Sequence, residues 1–123
     1  YQNILRAMWE NLGRVFAEYP HMHRADMARR IITRGSEHLP ENGKPFLIIS
    51  GHIGNWEVIP RALSLLNKPV HVVYRPPNNP LTHTLIDRIR SRYSLGHYGK
   101  GREGARGVMA AFQAGEPVAM LID

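Results

Sequence analysis

Residues 45–63 read PFLIISGHIGNWEVIPRAL. Positions 46–49 are a short apolar run of the kind a buried strand uses, and the run breaks at Ser50-Gly51. His52 falls in the turn beyond, and apolar residues return at helical spacing over 56–66. A strand that leads through a tight turn into a helix is the repeating unit of a parallel sheet. Gly51 and Gly54 give the turn backbone freedom, Asn55 is a candidate helix N-cap, and Pro60 fits best close to a helix start.

The same grammar repeats downstream. Apolar runs at 70–74 and 118–122 flank helical stretches at 81–93 and 105–114, and Gly115 and Pro117 stop the last helix. The runs are short, rich in Val, Ile and Leu, and do not alternate, which suits strands buried on both faces. Strand and helix in alternation predict an α/β fold with a largely parallel central sheet flanked by helices. Upstream, 2–17 carries Ile4, Leu5, Met8, Trp9, Leu12, Val15 and Phe16 on a helical repeat that Pro20 cannot continue. ADMARRIITRG (25–35) predicts a second helix with Gly35 as its C-terminal cap, and PENGKP (40–45) a turn. The expected organisation is one domain over 1–123, a helical portion at 1–35 and an α/β portion at 45–123 that carries the site.

The chain has 123 residues, enough for one modest core, and 43% of them are hydrophobic, with no repeat or low-complexity tract. Tyr1 is no initiator and Asp123 closes a strand-like run, so a partial domain from a longer protein is expected, its sheet incomplete here. The absence of cysteine excludes disulfide staples, Cys-based zinc sites and a Cys nucleophile. No run approaches the ~20 apolar residues of a membrane span, and no signal peptide is visible. Sixteen Lys+Arg against ten Asp+Glu give a formal charge of +6, suited to a lipid, a nucleic acid or an acidic protein as partner. Arginine predominates, and its planar fork matches phosphate and carboxylate.

In a parallel sheet, chemistry gathers outside the carboxyl ends of the strands. His52, Arg75 and Asp123 each lie at or just past such an end. The spacing from His52 to Glu57 is H-x-x-x-x-E. Along a regular helix it rotates by ~140°, so the two meet only if His52 lies in the turn and Glu57 in the helix's opening. A carboxylate on one imidazole nitrogen fixes the tautomer and stabilises the cation formed when the other nitrogen takes a proton. That is a general-base dyad without its own nucleophile, fit to activate a hydroxyl brought by a substrate. Ser50 lacks the G-x-S-x-G elbow and reads as structural. The plainer alternative makes His52 a strand terminator and Glu57 a solvated acid on the helix dipole. The Gly-His-x-Gly-Asn-Trp-Glu context at a strand end favours chemistry.

GHIGNWE (51–57), YRPPNNPL (74–81), DRIRSRYSLG (87–96) and LID (121–123) occur in that order. Together they resemble the lipid A biosynthesis lauroyl/myristoyl acyltransferase family, within the lysophospholipid acyltransferase-like superfamily. The H-x-x-x-x-(D/E) element is shared with other glycerolipid acyltransferases, and YRPxxNP narrows the match. The family's last strand ends in Asp-Gln, whereas this chain stops at Asp123.

The resemblance implies a glycerolipid-acyltransferase-like fold. It also implies transfer of a fatty acyl chain from an acyl-carrier-protein thioester to a hydroxyl of a lipid A precursor. His52 would be the general base, oriented by Glu57, with Gly51, Gly54 and Asn55 amides as candidate oxyanion donors. Arg75, Asn79, Arg90 and Asp123 are the implied substrate-binding residues: Arg75 clamps a phosphate, Arg90 is the family's arginine (with Arg88 and Arg92 as neighbouring alternatives), and Asp123 is its strand-end aspartate. No metal or cofactor is implied; acyl carrier protein is the co-substrate. The implied partners are that acidic carrier, an anionic lipid acceptor and a membrane surface, at the cytoplasmic face of the bacterial inner membrane.

Two rivals remain. One keeps the chemistry and changes the acceptor to a glycerophospholipid or another glycolipid. The other is a non-catalytic basic module for nucleic acid, which wants arginines interleaved with exposed aromatics; here the aromatics fall mainly on apolar faces, so no nucleic-acid partner is expected. GKGREGARG (99–107) has neither P-loop nor dinucleotide spacing. His21, His23, His71 and His97 sit in no motif.

Overall fold

The computed structural model describes residues 1–122. Four short strands, β1 (Leu47–Ser50), β2 (His71–Val73), β3 (Gly96–Tyr98) and β4 (Val118–Leu121), form one sheet in the order β1-β4-β2-β3. Every neighbouring pair is parallel, so the α/β expectation holds. The crossovers carry α3 (Val58–Leu65), α4 (Pro80–Arg90) and α5 (Arg102–Gln113), preceded by α1 (Gln2–Glu18) and the single turn α2 (Ala25–Ala28).

β4 is central, with Ala119 in register with Ile48 on one side and Val72 on the other. Its Val118 and Ala119 are both buried, as a non-alternating strand requires. β1 departs from that expectation. Leu47 and Ile49 are 41% and 55% exposed, because β1 is an edge strand and nothing among the described residues covers its outer face. β3 was not expected at all. Gly-His-Tyr carries no apolar run, and its strand geometry comes from pairing with β2.

Two packed clusters hold the layers. Leu63, Val70 and Ala119, joined by Leu39, Ile48, Ile59 and Val72, seat α3 on the sheet. Tyr19, Met22, Ile89 and Tyr93, joined by Met27, Val58 and Ile86, fasten the segment after α1 to α3 and α4. The helix expected over 25–35 stops after one turn at Ala28, and 31–34 run without regular structure. β-branched Ile31, Ile32 and Thr33 disfavour helix there. Gly35 sits at φ +78 ahead of a short 3₁₀ turn instead of capping a helix. α5 lies so close to the chain just after β3 that a Cβ on Gly104 would stand 1.6 Å from the Gly99 carbonyl oxygen, so only glycine fits. Among the described residues no helix is long and apolar enough to cross a membrane.

Candidate active site

β1 releases the chain at Ser50 into a turn that α1 holds from outside. Gly54 takes φ +59, a left-handed conformation that favours glycine. The Asn11 side-chain amide of α1 donates to the Gly54 carbonyl at 3.0 Å, and the Asn55 amide donates to Glu18 Oε2 at 2.5 Å. Asn55 Oδ1 accepts from the Glu57 N–H at 3.2 Å. Asn55 thus caps a tight lead-in turn, and the helix N-cap falls on Glu57, two residues later than the sequence suggested. Pro60 takes the third helical position, where its missing N–H is one of the helix's unused donors.

His52 is exposed in this turn, its ring edge-on to Trp56 with centroids 4.8 Å apart. Glu57 is buried, 6% exposed. Its carboxylate is gripped by Arg90, itself 7% exposed, from the far end of α4: Nε donates to Oε2 at 3.1 Å and Nη2 to Oε1. Both oxygens are thus held by the guanidinium, a pairing the sequence had not suggested. Arg88 and Arg92, the neighbouring candidates, are exposed, because on a helix the three cannot share a face.

Aromatic rings box in the pair. The Arg90 guanidinium lies 4.6 Å from the Tyr74 ring centroid and 6.0 Å from that of Tyr19. Burial, and then the nearby Glu57 charge, push both the Tyr19 and Tyr93 phenols well above the usual tyrosine range. Burial alone would lower the Arg90 pKa, but the hydrogen bonds and charge of Glu57 outweigh it and raise it above the ordinary arginine value. The cationic form of Arg90 is thereby secured by Glu57. Arg90 Nη1 is buried and has no partner among the described residues.

The pair opens onto a cleft of about 40 Å³ at the sheet's carboxyl edge, otherwise lined by apolar groups such as Ile48, Trp56, Ile59, Val72 and Met120. The ion pair is the charged feature of an otherwise largely apolar wall. Arg75 follows β2 and is exposed. Asn79 is the N-cap of α4: its Oδ1 accepts from Leu81 N at 2.9 Å and Thr82 N at 3.3 Å. Asp123 lies outside the described residues. Among those described, no three His, Asp or Glu side chains gather closely enough to hold a metal ion.

Sequence reasoning missed Tyr19, Tyr74 and Tyr93 as walls of the site, and Asn11 and Glu18 as holders of the His52 turn. Asn11, Glu18 and Tyr19 belong to no motif, while YRPPNNPL and DRIRSRYSLG contain Tyr74 and Tyr93 but marked the arginines beside them. The family model described as bacterial lipid A biosynthesis acyltransferase matches residues 1–123, the whole chain. No curated protein matches it.

Proposed function

The chain belongs to the bacterial lipid A biosynthesis acyltransferase family and is therefore an acyltransferase; from that premise we propose that it moves a fatty acyl chain from an acyl-carrier-protein thioester to a hydroxyl of a lipid A precursor, with His52 as general base. The observation that carries this reading is the buried Glu57–Arg90 pair at the wall of an apolar cleft, one turn beyond His52. The imidazole takes the acceptor's hydroxyl proton as the oxygen attacks the thioester carbonyl. The tetrahedral intermediate collapses, the C–S bond breaks, and the imidazolium returns the proton to the departing thiolate. The acceptor supplies the nucleophile, so no Ser or Cys is needed.

Glu57 stabilises the imidazolium. Each of its oxygens keeps a lone pair beyond the bond to Arg90, and catalytic hydrogen bonds that are long without substrate tighten when it binds. Arg90 keeps the carboxylate fixed and offers its unused Nη1 to a substrate oxygen. The backbone N–H groups of Gly51, Gly54 and Asn55 stand beside His52 as candidate oxyanion donors. Arg75 clamps an anionic group of the acceptor or of the carrier's prosthetic arm. Asn79 contributes indirectly, by fixing the loop that presents Arg75. Asp123 is assigned to an arginine or to the acceptor.

The surface agrees with a lipid setting. α1, tied to the His52 turn through Asn11, exposes Trp9 and Phe16 on one face, at 64% and 61%. We assign this face to the cytoplasmic leaflet of the inner membrane, with the positive charge meeting anionic lipid and the acidic carrier. The test incubates the full-length protein with an acyl-carrier-protein thioester and Kdo-lipid IVA and weighs the acceptor. A gain of one acyl chain is expected. A folded, lipid-bound protein that acylates only a glycerophospholipid would move the assignment to that acceptor.

A further inference from the structure

Behind Arg90, three side chains that the mechanism above leaves unused form a continuous hydrogen-bonded chain. His97 Nδ1 lies 2.8 Å from Asp87 Oδ1, and His97 Nε2 lies 2.8 Å from Ser94 Oγ. Ser94 Oγ also lies 2.8 Å from the Arg90 carbonyl oxygen, which accepts from the Ser94 and Tyr93 N–H groups at 2.9 Å as well. The His97 side chain is 8% exposed, and that of Asp87 51%. Asp87, one helical turn before Arg90, thus ties α4 to β3, and Ser94 ties β3's approach back to the end of α4.

The order Asp, His, Ser imitates a nucleophile triad, yet its surroundings do not. None of the three lines the apolar cleft, whereas Arg90 and Tyr74 do. The serine oxygen is turned onto a backbone carbonyl, and the edge of the imidazole packs against Tyr74, with ring centroids 5.8 Å apart. Tyr74 in turn carries the Arg90 guanidinium on its face. Both routes out of His97, through Ser94 and through Tyr74, end on Arg90.

We propose that Asp87, His97 and Ser94 are a positioning relay that fixes the backbone and ring contacts of Arg90, and through Arg90 the carboxylate of Glu57. The proposal deepens the reading of the site given above and rests on it for its effect on rate. The Asp87 carboxylate selects the Nδ1–H tautomer, and the single Ser94 hydroxyl proton is then shared between two acceptors, His97 Nε2 and the Arg90 carbonyl oxygen, each 2.8 Å from Oγ. Burial, with the Arg90 charge nearby, lowers the His97 pKa despite Asp87, in keeping with a neutral ring that adds no second cation beside Arg90. A guanidinium that must meet both oxygens of one carboxylate tolerates little displacement, since a shift near 1 Å can cost about a hundredfold in rate.

The test uses the full-length protein. Ser94→Ala removes one hydroxyl, His97→Ala removes the ring, and His97→Asn keeps a donor for Asp87. Acyl-transfer rates are measured in the wild-type and Arg90→Lys backgrounds, together with the NMR resonance of the Arg90 Nε–H group. The expected result is a roughly ten- to hundredfold loss for His97→Ala, part of it recovered by His97→Asn. In the Arg90→Lys background the loss should nearly vanish, because both changes act through the same contact. The Arg90 resonance should move in Ser94→Ala and in His97→Asn. Full additivity on Arg90→Lys, or an unmoved Arg90 resonance in both mild variants, would overturn the relay. If His97→Ala fails to fold, Ser94→Ala decides by the same two readouts. If the wild-type protein transfers no acyl chain, the reading of the site falls, and the Arg90 resonance still decides whether the relay exists.

Discussion

At the scale of single residues, the centre of the account is a buried ion pair, and buried pairs behave asymmetrically. Removing one partner leaves a charge without compensation, so Arg90→Ala should cost about 3–5 kcal/mol of stability. Replacing both, as in Glu57→Leu with Arg90→Met, should recover much of that loss in urea unfolding while acyl transfer stays absent. A double variant as unstable as Arg90→Ala would mean that the aromatic box, and not the pairing, sets the cost. His97 adds a pH signature. Its pKa is lowered by burial, by the Arg90 charge and against the pull of Asp87 and Glu57, so the unfolded chain binds its proton first as pH falls. The contribution is fully present above about pH 6.5 and is lost as pH drops from there towards the folded value. Thermal unfolding at pH 7.5 and 5.5 should therefore show a larger acid drop for wild type than for His97→Gln. None of this chemistry was visible at the residue scale from sequence, because Glu57 and Arg90 stand 33 positions apart. GHIGNWE and the arginine-rich DRIRSRYSLG each pointed to a functional residue, but neither pointed to the bond that joins Glu57 to Arg90.

At the scale of elements, what could be read was what burial writes into composition. β1, β2 and β4 announced themselves as apolar runs, and α4 through Asn79-Pro80, where a capping side chain precedes a proline at the first helical position. Asn79 illustrates how one motif serves two ends: YRPPNNPL suggested a substrate contact, and its asparagine oxygen is occupied by the backbone of α4. Asn79→Ala should cost about 1 kcal/mol of stability, and activity measured well below the melting temperature should change mainly through the acceptor's apparent affinity, as Arg75 loses its rigid support. Unchanged stability would remove the cap from the account. The elements that escaped reading are those whose form is imposed from outside. β3 is a strand because β2 offers it a ladder, a fact local propensity does not contain, whereas at 31–34 the β-branched run that disfavours helix was there to be read.

At the scale of the molecule, the parallel sheet brings the strand-end positions of His52 and Arg75 to its carboxyl edge, and the segment up to Met27 packs into the same core as α4. That packing lets α1 brace the His52 turn while the cleft opens between α3, β2 and β4. Sequence alone gave the edge, through the strand ends at His52 and Arg75; it could not give the brace, which joins Asn11 to Gly54 across 43 positions. The central claim is that the imidazole in this braced turn removes the acceptor's proton. The direct measurement is the single-turnover rate of acyl transfer to Kdo-lipid IVA by the full-length His52→Ala protein, with and without added imidazole. A general base contributes about a hundredfold or more, so a loss of that size, partly restored by imidazole, is the predicted result. Transfer at the wild-type rate by folded His52→Ala would contradict it.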